Sequence, residues 1–343
     1  MNIKTLSNSS IHEWNDFVDA HSDGTIFHRT EWKQVIERTF GYASHYIYVT
    51  DGNTIQGLLP LFHVKGWLVG NSLISTPFAV YGGILANNES AHEMLLNESK
   101  KLAEKLGARY VEFRHQQKKP LPELVTKDSL YATFINEMPE DREEIYERLP
   151  KEARRMVRKG RKNGLEIIID NKELDEFYNI YAISVRKFGT PVFSKKLFQN
   201  CLDAFKENAN FMRVYKDNKA IAAVLSFYYK DTVLPYYSGM LSEAKTLAPH
   251  NLMYLELMQH ARERGFSKFD FGRSKIGTGA AKFKENMGFE PTPLPYQYYL
   301  HNGEELPNKN QTNPKYTMAL NMWKRMPLSL TKILGPHVVR LFP

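Results

Sequence analysis

Tyr48-Val-Thr-Asp-Gly-Asn-Thr-Ile-Gln-Gly57 reads as a β-hairpin: apolar residues alternate on either side of an Asp-Gly turn. Val214-Tyr-Lys-Asp-Asn-Lys-Ala-Ile-Ala-Ala223 repeats the pattern with Asp-Asn at the turn. Downstream of each hairpin a predicted helix closes on glycine and enters an aromatic strand. The first copy is Leu106-Gly-Ala-Arg-Tyr-Val-Glu-Phe-Arg114 and the second is Arg264-Gly-Phe-Ser-Lys-Phe-Asp-Phe-Gly272. The helix of the first copy is expected to open on a capping box, Ser90-x-x-Glu93. That of the second is expected to open near Pro249, a residue suited to the first turn. Order and turn chemistry therefore predict one α/β unit used twice. The expected domains are 1–145 and 146–303, with a basic apolar tail over 304–343 that packs on the body or lies at a membrane interface.

The 343 residues carry 46 Lys and Arg against 38 Asp and Glu, a net charge of +8 that favours anionic partners. Apolar residues make up 42%, enough for a packed core, which excludes a disordered chain. One cysteine, Cys201, excludes an intramolecular disulfide and a cysteine-built zinc site. No pair of histidines has a convincing metal spacing. Nothing at the N-terminus resembles a signal peptide and no stretch reaches transmembrane length, so the expected location is cytoplasmic, soluble or peripheral.

Chemistry concentrates in Phe269-Asp-Phe-Gly-Arg-Ser-Lys-Ile-Gly-Thr-Gly-Ala-Ala-Lys-Phe-Lys-Glu-Asn-Met-Gly-Phe-Glu-Pro291. Its glycines let the backbone bend sharply or approach a ligand closely, and Arg273, Lys275, Lys282 and Lys284 surround the bend. Free amides, a helix start and fixed cations suit a phosphate or diphosphate. The basic segment Lys151–Gly164, helical until its glycines, reads either as a solvated face or as a phosphate-facing helix carrying Arg155 and Arg158. The known signatures for serine hydrolases, P-loop enzymes, zinc proteases and dinucleotide binding are not found. What remains is chemistry that needs positioning, a proton acceptor and oxyanion donors, such as acyl transfer to an amine. Asp270 and Glu112 occupy equivalent places on the two outgoing strands, as a base or as structural hydrogen-bond acceptors. Tyr236, Tyr237 and Ser238 are candidates to line a cleft.

The order Tyr236-Tyr-Ser-Gly239, Ala248-Pro-His-Asn-Leu252, Phe269-Asp-Phe-Gly272, Lys282-Phe-Lys284 and Gly288-Phe289 resembles the Fem-type (FemAB/FemX-like) peptidyltransferases. Leu58-Leu-Pro-Leu61, Ser75-Thr-Pro-Phe-Ala-Val-Tyr-Gly-Gly83 and Leu149-Pro-Lys-Glu-Ala-Arg-Arg-Met-Val-Arg-Lys159 extend the resemblance over nearly the whole chain. With Arg186-Lys-Phe-Gly-Thr-Pro191 and Gly277-Thr-Gly279 it is nearest to the Fem-like proteins associated with exopolysaccharide and exosortase (PEP-CTERM) systems. The resemblance implies an α/β (α+β) chain of two tandem GNAT-like acyltransferase domains, each a mixed, mostly antiparallel sheet flanked by helices. It implies an N-acyltransferase that moves an aminoacyl or other acyl group to an amine of a cell-envelope or polysaccharide precursor. The acceptor would be phosphorylated, UDP- or lipid-linked; the donor would be aminoacyl-tRNA or acyl-coenzyme A, with no cofactor firmly implied. DNA and metal are not expected. Lys284 falls at the position where Fem enzymes meet the substrate diphosphate. Asp270 and Lys284 are the expected catalytic residues, with Arg273, Lys275, Tyr237, Ser238, Arg155, Arg158 and Asn251 expected to bind substrate. The alternative is a non-catalytic GNAT-like module that binds an anionic polymer or a membrane-linked partner in an export system.

Overall fold

The computed structural model describes residues 1–66, 70–119, 121–303 and 314–343. Two compact units result: Met1–Leu130 with Leu294–Asn310 and Arg340–Pro343, and Tyr131–Pro293 with Gln311–Val339. The units part at Leu130 rather than at 145, and they part again at Pro293. Strand pairing is the reason. Tyr131–Thr133 and Ile135–Glu137 hydrogen-bond to strands of the second unit. Tyr296–Leu300 returns to the first unit, where it lies antiparallel to Tyr110–Phe113.

In the first unit, Asn2–Thr5, Ile47–Asp51, Thr54–Leu59 and Leu85–Ala86 form one sheet, in that order. A six-stranded sheet runs Ala43–Ser44, Phe62–Gly66, Gly70–Ile74, Tyr110–Phe113, Tyr296–Leu300, Val125–Lys127. The expected hairpin is present, turning at Gly52 with φ 57°. The helix Glu89–Leu106 buries Leu95, Ser99 and Ala103 at four-residue spacing and ends at Gly107, φ 63°. Its N-cap is Asn88, whose side chain accepts the Ala91 N–H at 2.9 Å, in place of the expected box at Ser90. Arg114 and Glu112 form an ion pair at 2.7 Å with both side chains buried. Arg114 also donates to the carbonyls of Thr76 and Ala79, each at 2.9 Å, and so holds the loop after Ile74. Glu112, expected as a base or an acceptor, serves here as that arginine's counter-ion.

The second unit is built on a six-stranded sheet: Ile135–Glu137, Lys268–Asp270, Thr232–Met240, Lys219–Tyr229, Ala209–Lys216, Glu166–Asp170. Every pairing is antiparallel except Thr232–Met240 with Lys268–Asp270. Asp217 and Asn218 both have positive φ, 49° and 60°, the two-residue turn the sequence pattern predicts. Helix Leu174–Lys187 covers one part of the sheet through Phe177, stacked on Phe211 at 4.5 Å and edge-on to Phe198 at 5.1 Å. Helix Pro249–Glu263 begins with its proline in the first turn, as expected.

The basic helix spans Lys151–Lys162 and runs through Gly160 instead of stopping there. A β-carbon at Gly160 would lie 3.0 Å from Leu252, so glycine permits close packing on Pro249–Glu263. Of the expected tail, 304–313 lies outside the described residues. Pro314–Arg325 and Leu328–Val339 are helices packed on the second unit, through Trp323 Nε1 to the Thr190 carbonyl and Arg186 to the Met326 carbonyl.

A β-carbon at Gly239 would fall 2.9 Å from the Ile180 carbonyl and the Tyr181 Cα, so helix and strand backbones nearly touch there. Gly239→Ala is expected to force them apart at a cost of about 1–3 kcal/mol. A thermal midpoint equal to that of the parent would show that the approach is not needed.

Candidate functional site

Strand Thr232–Met240 keeps its parallel partner only at Thr232–Lys268 and Val233–Phe269. Pro235 offers no N–H, and the antiparallel register shifts between Leu225 and Ser226, so that Tyr236 bulges. The parallel register ends at Val233, before this bend. The end of a parallel pairing, beside the start of the following helix, is a place where a chain of substrate atoms can meet the polar groups of strand and helix. Ala248, at φ 60°, turns the chain into that helix, which carries His250, Asn251 and Tyr254.

Three buried polar side chains lie on or against the strand past this bend. Tyr237 is buried among Tyr181, Phe193 and Phe198, and its hydroxyl has no partner among the described residues. Burial holds its phenol well above the ordinary value, with Arg273 opposing. Tyr254 hydrogen-bonds the Ser238 side chain, and burial pushes its phenol up to about 12. His250 hydrogen-bonds the Gly239 backbone, its Nε2 has no partner among the described residues, and burial lowers it to about 4. The imidazole is therefore neutral near pH 7. Sequence reasoning singled out Tyr237 and Ser238 but passed over His250 and Tyr254. Their signal is the i, i+4 spacing after Pro249, which places both on one helix face.

The glycine-rich loop is built around an internal cation. Lys284 is buried on helix Gly279–Asn286, and its Nζ donates to the carbonyls of Phe271 and Gly272, both at 2.8 Å, and of Arg273 at 3.3 Å. Asp270 Oδ1 accepts the Gly272 N–H at 2.7 Å and the Thr133 hydroxyl at 3.3 Å. Gly272 has φ 63°, a conformation that favours glycine. The two expected catalytic residues thus meet as a clamp on one loop. Burial pushes the Lys284 ammonium down to about 7, and the Asp270 carboxylate works against that shift.

The remaining candidates divide. Arg273, half-buried, places its guanidinium 4.8 Å from the Tyr131 ring, and Lys275 pairs in register with Tyr131 on the short strand Ser274–Lys275. Asn251 donates to the Met287 sulfur at 3.3 Å, joining the two helices of the site. Arg155 and Arg158 are exposed, the first paired with Glu152 and the second with the Tyr146 hydroxyl at 3.0 Å.

Residues 148–285 match the family described as Acetyltransferase (GNAT) domain. The crystal structure of FemX superposes with a TM-score of 0.67 at 15% identity, covering 88% of this chain and 98% of that one. A tandem GNAT protein from the clavulanic acid biosynthesis pathway gives 0.57 at 10% identity, over 89% and 99%. The chain has a tandem GNAT-like fold. In sequence it is 26% identical over 227 residues to the Lipid II:glycine glycyltransferase of Staphylococcus haemolyticus, a match covering 58% of this chain. The chain spans about half the length of that curated relative, 52%.

Lys284 in the folded tandem GNAT-like protein is expected to titrate near 7 instead of near 10.5. Asp270→Asn, which keeps the Gly272 contact but removes the charge, should lower the midpoint further. The side-chain ¹³Cε shift of Lys284 against pH reads both, and an ordinary lysine midpoint would refute the assignment. The unfolded chain holds the extra proton between those two values, so this group favours folding increasingly as pH rises from about 7 toward 10.5.

Proposed function

We propose that the protein is a Fem-type N-acyltransferase that transfers an aminoacyl or other acyl group to an amine of a cell-envelope or polysaccharide precursor. The observation that carries this reading is the parting of Thr232–Met240 from Lys268–Asp270 beside His250 and Tyr254, within the segment that matches an acetyltransferase domain. The acyl carbonyl would lie in the gap, where the hydroxyls of Ser238 and Tyr254 are donors for the oxygen that becomes negative. The acceptor nitrogen attacks the carbonyl carbon; the bond to the donor oxygen or sulfur breaks, and the nitrogen's proton leaves as the amide forms. Neutral His250 is a hydrogen-bond partner for that proton's departure. Tyr237 and Ser238 line the gap. Arg273 and Lys275 hold phosphate of the acceptor, with Asn251, Arg155 and Arg158 flanking. In this reading Asp270 and Lys284 are positioning residues, because their polar atoms are spent on the loop that presents Arg273.

The donor is aminoacyl-tRNA or acyl-coenzyme A. Similarity to a Lipid II:glycine glycyltransferase supports a lipid-linked acceptor; a phosphate on it and access from the cytoplasmic face of the membrane belong to this proposal. Service in an exopolysaccharide export system remains part of the proposal. One observation favours the alternative of a non-catalytic module binding an anionic polymer: the contacts of Asp270 and Lys284 are internal to the fold.

Transfer of labelled glycine from glycyl-tRNA, or of acetyl from acetyl-coenzyme A, to UDP- and lipid-linked muropeptides and amino sugars decides between the two. Arg273→Ala should raise the KM for a phosphorylated acceptor about tenfold to a hundredfold, the worth of a lost charge-assisted contact. His250→Ala should lower kcat about a hundredfold while leaving that KM in place. Salt-sensitive binding without transfer from either donor would establish the binding module instead.

A further inference from the structure

The last described helix, Leu328–Val339, is turned inside out. Its buried stripe is Thr331, Gly335 and Val339, at four-residue spacing. At Gly335 a β-carbon would meet the Val192 carbonyl at 2.4 Å, so the helix rests on the second unit through its smallest residues. The large aliphatic side chains Leu330, Ile333 and Leu334 face outward, with Ile333 64% exposed. They follow i, i+3, i+4 spacing and form one stripe. The preceding helix, Pro314–Arg325, does the same: Leu320 and Trp323 face Gly189 and Thr190, while Met318 and Met322 are 61% and 62% exposed.

Charge says what covers these stripes. From Pro314 to the end the chain carries Lys315, Lys324, Arg325, Lys332 and Arg340 and no Asp or Glu. Arg325 continues the Met318–Met322 stripe at the next helical turn. A second copy would bring like charges together across a two-fold axis. A folded protein partner draws much of its binding energy from aromatic anchors, but the exposed stripes are Met, Leu and Ile, and Trp323 spends its indole N–H on the Thr190 carbonyl. Exposed Met and aliphatic chains beside the exposed Lys324 and Arg325, on two helices without Asp or Glu, fit the headgroup region of an anionic bilayer. A twelve-residue helix is about 18 Å long, too short to cross a hydrocarbon core of about 30 Å. No helix among the described residues is long and apolar enough to span.

We propose that the outward faces of Pro314–Arg325 and Leu328–Val339 form a membrane-docking surface for anionic phospholipid. None of the residues of this surface is among those assigned to acyl transfer, and the proposal stands whether or not the protein transfers an acyl group.

Co-sedimentation of the full chain with phosphatidylglycerol-containing vesicles and with pure phosphatidylcholine vesicles tests it. The parent should bind the anionic vesicles, lose binding as salt rises, and bind phosphatidylcholine weakly. Ile333→Ser with Leu334→Ser should weaken partition about tenfold or more, since two aliphatic chains leave the lipid. Lys324→Glu with Arg325→Glu, on polar exposed sites, should weaken it without loss of apolar area. Unchanged thermal midpoints would confirm that both variants fold. Transfer to a soluble acceptor should survive both substitutions, which keeps the two readings separable. Vesicle binding equal to the parent in both variants would overturn the proposal. Retention on polyglutamate without vesicle binding would replace lipid with an acidic protein, and concentration-dependent dimers lost in the serine variant would replace it with a second copy.

Discussion

The second unit depends on one buried lysine. Lys284 gathers the carbonyls of Phe271, Gly272 and Arg273 around a single point, and Asp270 holds the Gly272 amide from the other side. Backbone carbonyls that converge repel one another unless a donor lies between them, and a buried amine is costly unless its donors are satisfied. Each requirement answers the other. The result is a tight exit from the strand Lys268–Asp270, which carries the chain away from Thr232–Met240 and leaves the gap beside His250 and Tyr254.

The first unit solves the same problem with different residues. Arg114, paired with Glu112 after the equivalent strand, reaches the carbonyls of Thr76 and Ala79. In both units a carboxylate on the outgoing strand and a buried cation fix a loop whose backbone would otherwise be short of partners. The guanidinium serves carbonyls well separated along a loop, and the ammonium serves consecutive ones, as their donor geometries suggest. The duplicated architecture therefore extends to the way its loops are pinned.

Much of this was legible in the chain. Asp-Gly and Asp-Asn mark the hairpins because both turns need positive φ, and Gly107 ends its helix for the same reason. Tyr237 and Ser238 were legible as strand residues of a candidate cleft. What local pattern could not give was pairing across long sequence separation. Tyr131–Thr133 looked like first-unit sequence and Tyr296–Leu300 like second-unit sequence, and only hydrogen bonding to distant strands reverses both. Asn88 displaced Ser90 as the cap because helix start is decided by which side chain reaches the Ala91 amide. The burial of Lys284 is not legible either, since a lysine buried under carbonyls and one facing phosphate look alike in sequence. His250 escaped notice because its burial comes from residues far along the chain.

The return of Tyr296–Leu300 sets the order in which the protein can be completed during synthesis. The strand belongs between Tyr110–Phe113 and Val125–Lys127, yet it leaves the ribosome after all of 131–293 has been made. Until then both of those strands expose an unpaired edge, the kind of surface that recruits wrong partners. A chain stalled or truncated before residue 296 has an open first sheet, however well its second unit folds. Quality control of this protein is thus concentrated late: the earliest-made unit is the last to close.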